Sequence, residues 1–198
     1  MSRKPNTEAR EKILKGAFGL LAERGFNAIS MDDVAAAAGL KKANLFHYFP
    51  TKEALGLAVF DYAAARMRAE VDAQMSGGRD PIKMVDGMFS AFSEGMSKRR
   101  CKGGCPIGNL ALELSDQYER IRERISLYLR EWTGELAGCL EKSKADGYFR
   151  KDLKPKQSAE AILSLFEGAA LFCKAKKDTD ALDHARAMAV TYLRGYKT

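Results

Sequence analysis

The chain has 198 residues, of which 46% are hydrophobic and 30% are charged. This balance is ordinary for a folded globular protein and argues against the disordered and fibrous classes. The formal net charge is +7, and residues 1–56 contribute +3 of it, from nine lysines and arginines against six acids. Because the positive charge is spread along the chain, composition alone favours a nucleic-acid partner only weakly.

The sequence carries no signal for export or for a membrane. Residues 1–7 lack the apolar core of a signal peptide, and no window approaches 18 consecutive apolar residues. We therefore expect a cytoplasmic protein with no membrane partner. The four cysteines are unevenly spaced, which in a reducing compartment is typical of free thiols rather than of a disulfide framework.

The first predicted helix begins at a Thr7 cap and ends at Arg24-Gly25. Apolar residues at helical spacing define its buried face. These residues are Ile13, Leu14, Ala17, Phe18 and Leu21. We expect this helix to close a three-helix core over the segment that follows.

Residues 30–52, SMDDVAAAAGLKKANLFHYFPTK, predict two short helices separated by a tight corner. The Ser30 hydroxyl can cap the first of them, with Asp33 three residues on as its acidic partner. Gly39 ends that helix, because a residue without a Cβ can adopt the left-handed geometry found just past a last turn. The second helix, over 41–49, is too short to be stable without its neighbours.

The second short helix begins with two lysines, where the helix dipole favours acidic residues. Lys41 and Lys42 are explained if an anion docks against them. Asn44 can contact an adenine edge or a phosphate, and His47 and Tyr48 present polar tips one turn later. The layout is typical of a helix-turn-helix whose second helix enters the DNA major groove. A solvated corner between two helices is the alternative.

The segment 39–52, GLKKANLFHYFPTK, together with the helix before it, resembles the DNA-binding signature of the TetR family of one-component bacterial transcriptional regulators. Six positions carry the resemblance: Gly39, Leu45, Phe46, Tyr48, Phe49 and Lys52. It covers about the first 60 residues and implies a repressor that binds double-stranded operator DNA. Lys41 and Asn44 replace small hydroxyl residues of the family pattern, which leaves the operator sequence open. The predicted DNA-contacting residues are Ser30, Lys41, Lys42, Ala43, Asn44, His47, Tyr48, Thr51 and Lys52.

The rest of the chain predicts further helices and no strand. Thr51 caps a helix that continues to about Met75, residues 76–78 break the chain, and Asp80-Pro81 starts the next helix. Later helices are predicted up to the basic run 98–102, up to 147, after a loop at 153–156, and over about 180–194. A glycine break at 103–104 precedes a short apolar segment over 106–114. The predicted fold is therefore all-α with about nine helices. Residues 1–56 form a DNA-binding head, and residues 57–198 form a body for effector binding and dimerisation.

The last two predicted helices are rich in small residues that let helices approach closely. These are Ala159, Ala161, Gly168, Ala169, Ala170, Ala185 and Ala189. The family resemblance implies that this pair of helices packs on its twin as a four-helix homodimer interface, which suits a head that reads a palindrome. An ordinary intramolecular core is the alternative.

Cys101 and Cys105 lie in CKGGCPIGNLALEL, beside the basic run 98–102. Nearby cations and a helix N-terminus favour the thiolate, which is the reactive form. The segment resembles the glycine-cysteine motif of a TetR branch that includes electrophile and oxidant sensors, and a buried structural thiol is the alternative. No metal site is predicted, because the two cysteines supply only two ligands and His47 and His184 lie in distant segments.

Aromatic and sulfur side chains of the body are candidates for an effector pocket. The set is Phe89, Phe92, Met96, Cys105, Trp132, Phe149 and Phe166. Plain core packing is the alternative for each, and the small-molecule effector is of unknown identity. The sequence shows no nucleophile-base pair, phosphate-cradling loop or metal cluster, so we predict no catalytic residue and no cofactor. A helical enzyme and a protein-binding adaptor are the competing classes, and an adaptor would show no salt-dependent affinity for DNA.

Overall fold

The computed structural model describes residues 7–75 and 80–198, with the side chains of 70–75 left aside. The described residues form nine α-helices, and their one β-type pairing is an isolated bridge between Phe149 and Lys197. The helices are α1 (Thr7–Arg24), α2 (Met31–Ala37), α3 (Lys42–Tyr48), α4 (Lys52–Met75), α5 (Pro81–Lys98), α6 (Pro106–Leu114), α7 (Glu119–Ala145), α8 (Pro155–Lys176) and α9 (Asp180–Arg194). The all-α prediction is confirmed.

Within the described ranges, none of the helices has the length and apolar character needed to cross a membrane. The predicted chain break at 76–78 lies outside the described residues.

The chain divides into two compact units. The head unit contains α1 to α3, α4 as far as Met67, α6, and α7 as far as Ser126. The body unit contains the rest of α4 and α7 together with α5, α8 and α9. The head unit is thus larger than the predicted head of residues 1–56, because α6 and the start of α7 pack against the first helices. A segment of 56 residues alone would bury little apolar surface.

Three helix starts are set by local capping residues. Ser30 Oγ accepts a hydrogen bond from Asp33 N at 3.1 Å, and Asp33 Oδ2 accepts one from Ser30 N at 2.7 Å, so the predicted capping box is present. Thr51 Oγ1 accepts from Ala54 N at 3.0 Å at the start of α4. Asp80 Oδ1 caps α5 in the same way, with Pro81 at the first helical position.

Three predicted boundaries differ from the structure by a few residues. α1 has Thr7 as its first helical residue rather than as its cap. α3 begins at Lys42, and Lys41 is its N-cap, without a hydrogen bond from the Lys41 side chain. α8 begins at Pro155, inside the predicted loop over 153–156, because proline is preorganised for the first helical position.

A small apolar core holds the three short helices of the head unit together. Ile13 and Ala17 of α1, Val34 of α2 and Leu45 of α3 are almost completely buried. Gly16 lies where α1 meets α2, and a Cβ there would be 3.3 Å from Ala37. The two helices therefore approach as closely as their backbones allow, and this contact fixes the frame that presents α3.

The body unit packs α8 and α5 against α9. Arg186 of α9 donates two hydrogen bonds to the Asp86 carboxylate of α5, at 2.7 and 3.2 Å. Five of the seven small residues predicted for the dimer interface are buried within this one chain: Ala159, Ala169, Ala170, Ala185 and Ala189. Those five serve intramolecular packing, whereas Ala161 and Gly168 are exposed.

Candidate nucleic-acid interface and effector site

The first turn of α3 is exposed, and the helix is held from its other face. Lys41, Lys42 and Asn44 are exposed, as are Ala43 and His47, whereas Leu45 and Phe49 are 0% and 4% exposed. Burial of these two apolar side chains anchors a helix of seven residues that would not form alone. The polar side chains of the turn are consequently directed toward solvent.

Two of these polar side chains are free within the described part of the chain and one is paired. No hydrogen bond or ion pair engages the side chains of Lys41 or Asn44 among the described residues. Lys42 Nζ lies 2.8 Å from Asp32 Oδ2 of α2, and both side chains are more than half exposed. Such a surface pair contributes about 0–1 kcal/mol, so an approaching phosphate can compete for the ammonium group.

The predicted contact residues Ser30 and Thr51 both cap helices. Ser30 Oγ also donates to Asp33 Oδ2 at 2.6 Å. Hydrogen bonds from the Ser30 side chain and backbone lower the pKa of Asp33. The two hydroxyls thus define where α2 and α4 begin, on either side of α3.

The remaining predicted contacts lie at the end of α3 and the start of α4. The rings of His47 and Tyr48 are 5.5 Å apart in an edge-on arrangement. Lys52 Nζ donates to the Asn27 carbonyl oxygen at 3.2 Å and lies 4.9 Å from the centre of the Phe26 ring. The Lys52 ammonium group is therefore engaged inside the head unit, on the turn between α1 and α2.

The same turn has a partner for which the sequence carries no local signal. Glu113 of α6 accepts hydrogen bonds from the backbone amides of Phe26 and Asn27. The contacting residues are 87 and 86 positions apart in the chain. No spacing or capping pattern connects residues at that separation, so only the structure reveals Glu113 as part of the interface frame.

An aromatic cluster occupies the body unit. The Phe166 ring lies 5.3 Å from Phe89, 4.7 Å from Phe92 and 5.7 Å from Trp132, measured between ring centres. Met96 is completely buried in the same unit. The Tyr128 ring, which was not among the predicted pocket residues, lies 6.1 Å from Trp132.

Phe149 has different ring partners from the other predicted pocket residues. Its ring packs edge-on against Tyr148 at 4.8 Å, and its backbone bridges to Lys197. The described ring contacts therefore bring together Phe89, Phe92, Trp132 and Phe166, and they do not include Phe149 in that cluster.

The Cys105 thiol contacts an acidic group. This buried thiol donates to Glu167 Oε1 at 3.1 Å. Burial raises the pKa of Glu167, although the hydrogen bond from the thiol acts in the opposite direction. Burial also raises the pKa of the neighbouring Tyr128, and the proximity of Cys105 adds to that shift. This polar group borders the aromatic cluster, because the Tyr128 ring lies 6.1 Å from Trp132.

All four cysteines are free thiols, as predicted. Burial raises the pKa of Cys139 and of Cys173. Cys101 is buried and has a positive φ of 55°. Among the described residues no three His, Cys, Asp or Glu side chains are grouped so that they could hold a metal ion.

Comparison with known protein families identifies both parts of the chain. Residues 81–189 match the tetracyclin repressor-like C-terminal domain, which is more than half of the chain. Residues 13–59 match the domain described as bacterial regulatory proteins, tetR family. The chain belongs to the TetR family. As a TetR-family protein it is a DNA-binding transcriptional regulator, and α2 and α3 are its helix-turn-helix.

Individual TetR-family proteins resemble this chain over most of its length. The HTH-type transcriptional repressor DhaR of Mycobacterium sp. (strain GP1) is 24% identical over 178 residues, which is 89% of this chain and 88% of DhaR. The HTH-type transcriptional repressor NemR of Escherichia coli K12 is 25% identical, with 94% of each chain covered. A TetR transcriptional regulator from Chloroflexus aurantiacus superposes with a TM-score of 0.88 at 28% identity, covering 96% of both chains.

Proposed function

We propose that this protein is a transcriptional repressor that binds a palindromic operator as a homodimer in the cytoplasm and releases it when a small-molecule effector binds the body. Residues 1–56 supply the DNA-binding function, and residues 57–198 supply effector binding and dimerisation. The observation that carries the proposal is the first turn of α3, where Lys41, Lys42 and Asn44 are exposed on a helix anchored by buried Leu45 and Phe49. The related repressors DhaR and NemR support repression as the mode of action.

In the proposed complex α3 enters the major groove of DNA. Lys41 and Lys42 meet phosphates, which fix the register of the helix, and Asn44 contacts a base edge. Ala43 is small enough to let the backbone approach the bases, and His47 and Tyr48 contact the flanking sugar-phosphate backbone. Ser30, Thr51 and Lys52 lie at the helix starts around α3 and contact the backbone of the DNA from there.

The proposed homodimer forms through α8 and α9. Four large side chains of these helices are 41% to 65% exposed in the single chain: Leu171, Phe172, Met188 and Tyr192. Apolar side chains of this size on neighbouring helices are typical of an interface between subunits. A two-fold symmetric pair of such subunits matches the two half-sites of a palindrome.

The proposed effector site consists of the aromatic cluster and the polar group beside it. Phe89, Phe92, Trp132 and Phe166 supply apolar contacts, with Met96 buried near them, and Cys105 and Glu167 supply polar contacts. Phe149 belongs to the proposed set through its burial in the same unit. The protein acts as a regulator without catalytic residues or a cofactor.

Equilibrium binding to duplex DNA tests the proposal. We expect the wild-type protein to bind operator DNA with an affinity that falls steeply as salt rises, because lysine contacts with phosphate release counterions. Asn44→Ala should relax the base preference at one position of each half-site by about 1–3 kcal/mol. A protein-binding adaptor would show no salt-dependent affinity for any duplex, and that result would contradict the proposal.

Effector binding can be followed through intrinsic fluorescence. Trp132 is the chain's single tryptophan and packs against Phe166. A compound that occupies the proposed site should change the tryptophan emission and lower operator affinity in the same concentration range. A compound that releases the operator without changing the emission would place the effector site elsewhere.

A further inference from the structure

Glu113 makes two hydrogen bonds that hold the turn between α1 and α2. Its Oε2 accepts from Phe26 N at 2.8 Å, and its Oε1 accepts from Asn27 N at 2.6 Å. Each oxygen of one carboxylate is thus used by a separate backbone amide. Bonds of this kind are about twice as strong as those between neutral groups, so α6 is fastened to this turn by charge as well as by shape.

The backbone of the turn is shaped for this approach. Gly25 has a φ of +83°, and a Cβ at that position would be 3.1 Å from Glu113 Oε1. Any larger residue would be strained in this conformation and would crowd the carboxylate. Gly25 is therefore explained by the presence of Glu113 as well as by the end of α1.

The turn between α1 and α2 also fixes the two helices that flank α3. The Phe26 ring is buried against α4 so closely that a Cβ on Gly56 would be 2.7 Å from it. The Asn27 carbonyl oxygen accepts from Lys52, the first residue of α4. Ser30, three residues after Asn27, caps α2. A shift of the turn would therefore move the start of α2 and the start of α4 together.

We propose that Glu113 is a positioning residue for DNA binding, which holds the turn between α1 and α2 in the conformation that presents α3 to the operator. This role rests on the proposed function. The role differs from that of a DNA-contacting residue, because Glu113 is itself an anion and would be repelled by phosphate.

The sign of the charge change makes the proposal testable with three variants. Glu113→Ala and Glu113→Gln each remove one negative charge, and Asp116→Asn removes one at an exposed position three residues away. Simple electrostatics predicts that all three bind DNA more tightly. If Glu113 positions the head, Glu113→Ala should instead bind the operator about 5- to 150-fold more weakly, in the range of a typical coupling between sites. Glu113→Gln, which keeps one acceptor oxygen, should lose less, and Asp116→Asn should not lose affinity.

Amide hydrogen exchange provides the readout that a change in overall stability would not reproduce. We expect the amides of Phe26 and Asn27 to exchange faster in Glu113→Ala, while amides of the α1 core keep their wild-type rates. Faster exchange throughout the head would show general destabilisation and would overturn the positioning role. Unchanged operator affinity in a folded Glu113→Ala protein would overturn it too.

The outcomes separate this role from the proposed function. If the wild-type protein binds operator DNA and Glu113→Ala binds it equally well, only the positioning role fails. If the wild-type protein binds no duplex, the proposed function fails and the positioning role fails with it.

Discussion

The ion pair between Lys42 and Asp32 makes a prediction that depends on the geometry of the free protein. The Lys42 ammonium group lies 2.8 Å from the Asp32 carboxylate, with the two side chains 57% and 62% exposed. A pair this exposed contributes about 0.2–1 kcal/mol, which the protein gives up when a phosphate takes the ammonium group. Asp32→Asn removes that competition and also removes an anion beside the DNA backbone. We therefore expect it to tighten operator binding by up to about fivefold.

Lys42→Ala should have the opposite effect. Loss of one phosphate contact weakens binding to all sequences alike and flattens the dependence of log affinity on log salt by about 0.9. Fluorescence anisotropy with labelled duplexes at several salt concentrations measures both quantities. Lys41→Ala is the matched control, because Lys41 is exposed and has no acidic partner among the described residues.

A double-mutant cycle decides whether the effect of Asp32 acts through Lys42. In the Lys42→Ala background, Asp32→Asn should give a smaller gain than in the wild-type protein, whereas in the Lys41→Ala background the full gain should persist. Weaker operator binding by Asp32→Asn would refute the reasoning, because it would mean that Asp32 supports the head more than it competes with phosphate.

Three further predictions concern the interface, the thiol and the cap. Phe172→Glu should convert the dimer to monomer in light scattering because it places charge on an exposed apolar face, whereas Ala169→Glu, at a position buried within the chain, should lower the melting temperature of the fold itself. Cys105→Ser should hold operator DNA in the presence of a thiol-reactive electrophile if thiol chemistry triggers release, and should respond like the wild-type protein if the effector is non-covalent. Ser30→Ala should destabilise the head by about 1 kcal/mol in thermal unfolding, since it removes the cap of α2.

Several helix starts and ends were predictable because their causes are local. The capping box of Ser30 and Asp33, the glycine corner at Gly39 and the Asp80-Pro81 start all act within a few residues. Those signals fix where a helix begins or ends, and packing against the rest of the chain stabilises it. The order of helices and the all-α class follow from them.

Contacts between distant segments could not be predicted in the same way. Glu113 meets Phe26 and Asn27 across more than 80 residues, and nothing in the sequence of α6 shows which distant segment its one glutamate meets. The sequence also does not show which side of a helix is buried. Gly168 is exposed and Ala169 is buried, although both are small residues in the same helix. Which side of a helix meets its own chain depends on where its neighbours lie.

Selection of operator sequences from a random pool of duplexes tests the central claim most directly. The wild-type protein should enrich an inverted repeat, because two subunits related by two-fold symmetry read two identical half-sites. The enriched duplex should lose protein as salt rises, and the Asn44→Ala protein should relax the preference at one position in each half-site. Failure to enrich any sequence, or enrichment of a single unrepeated site, would contradict the account of a dimeric operator-binding regulator.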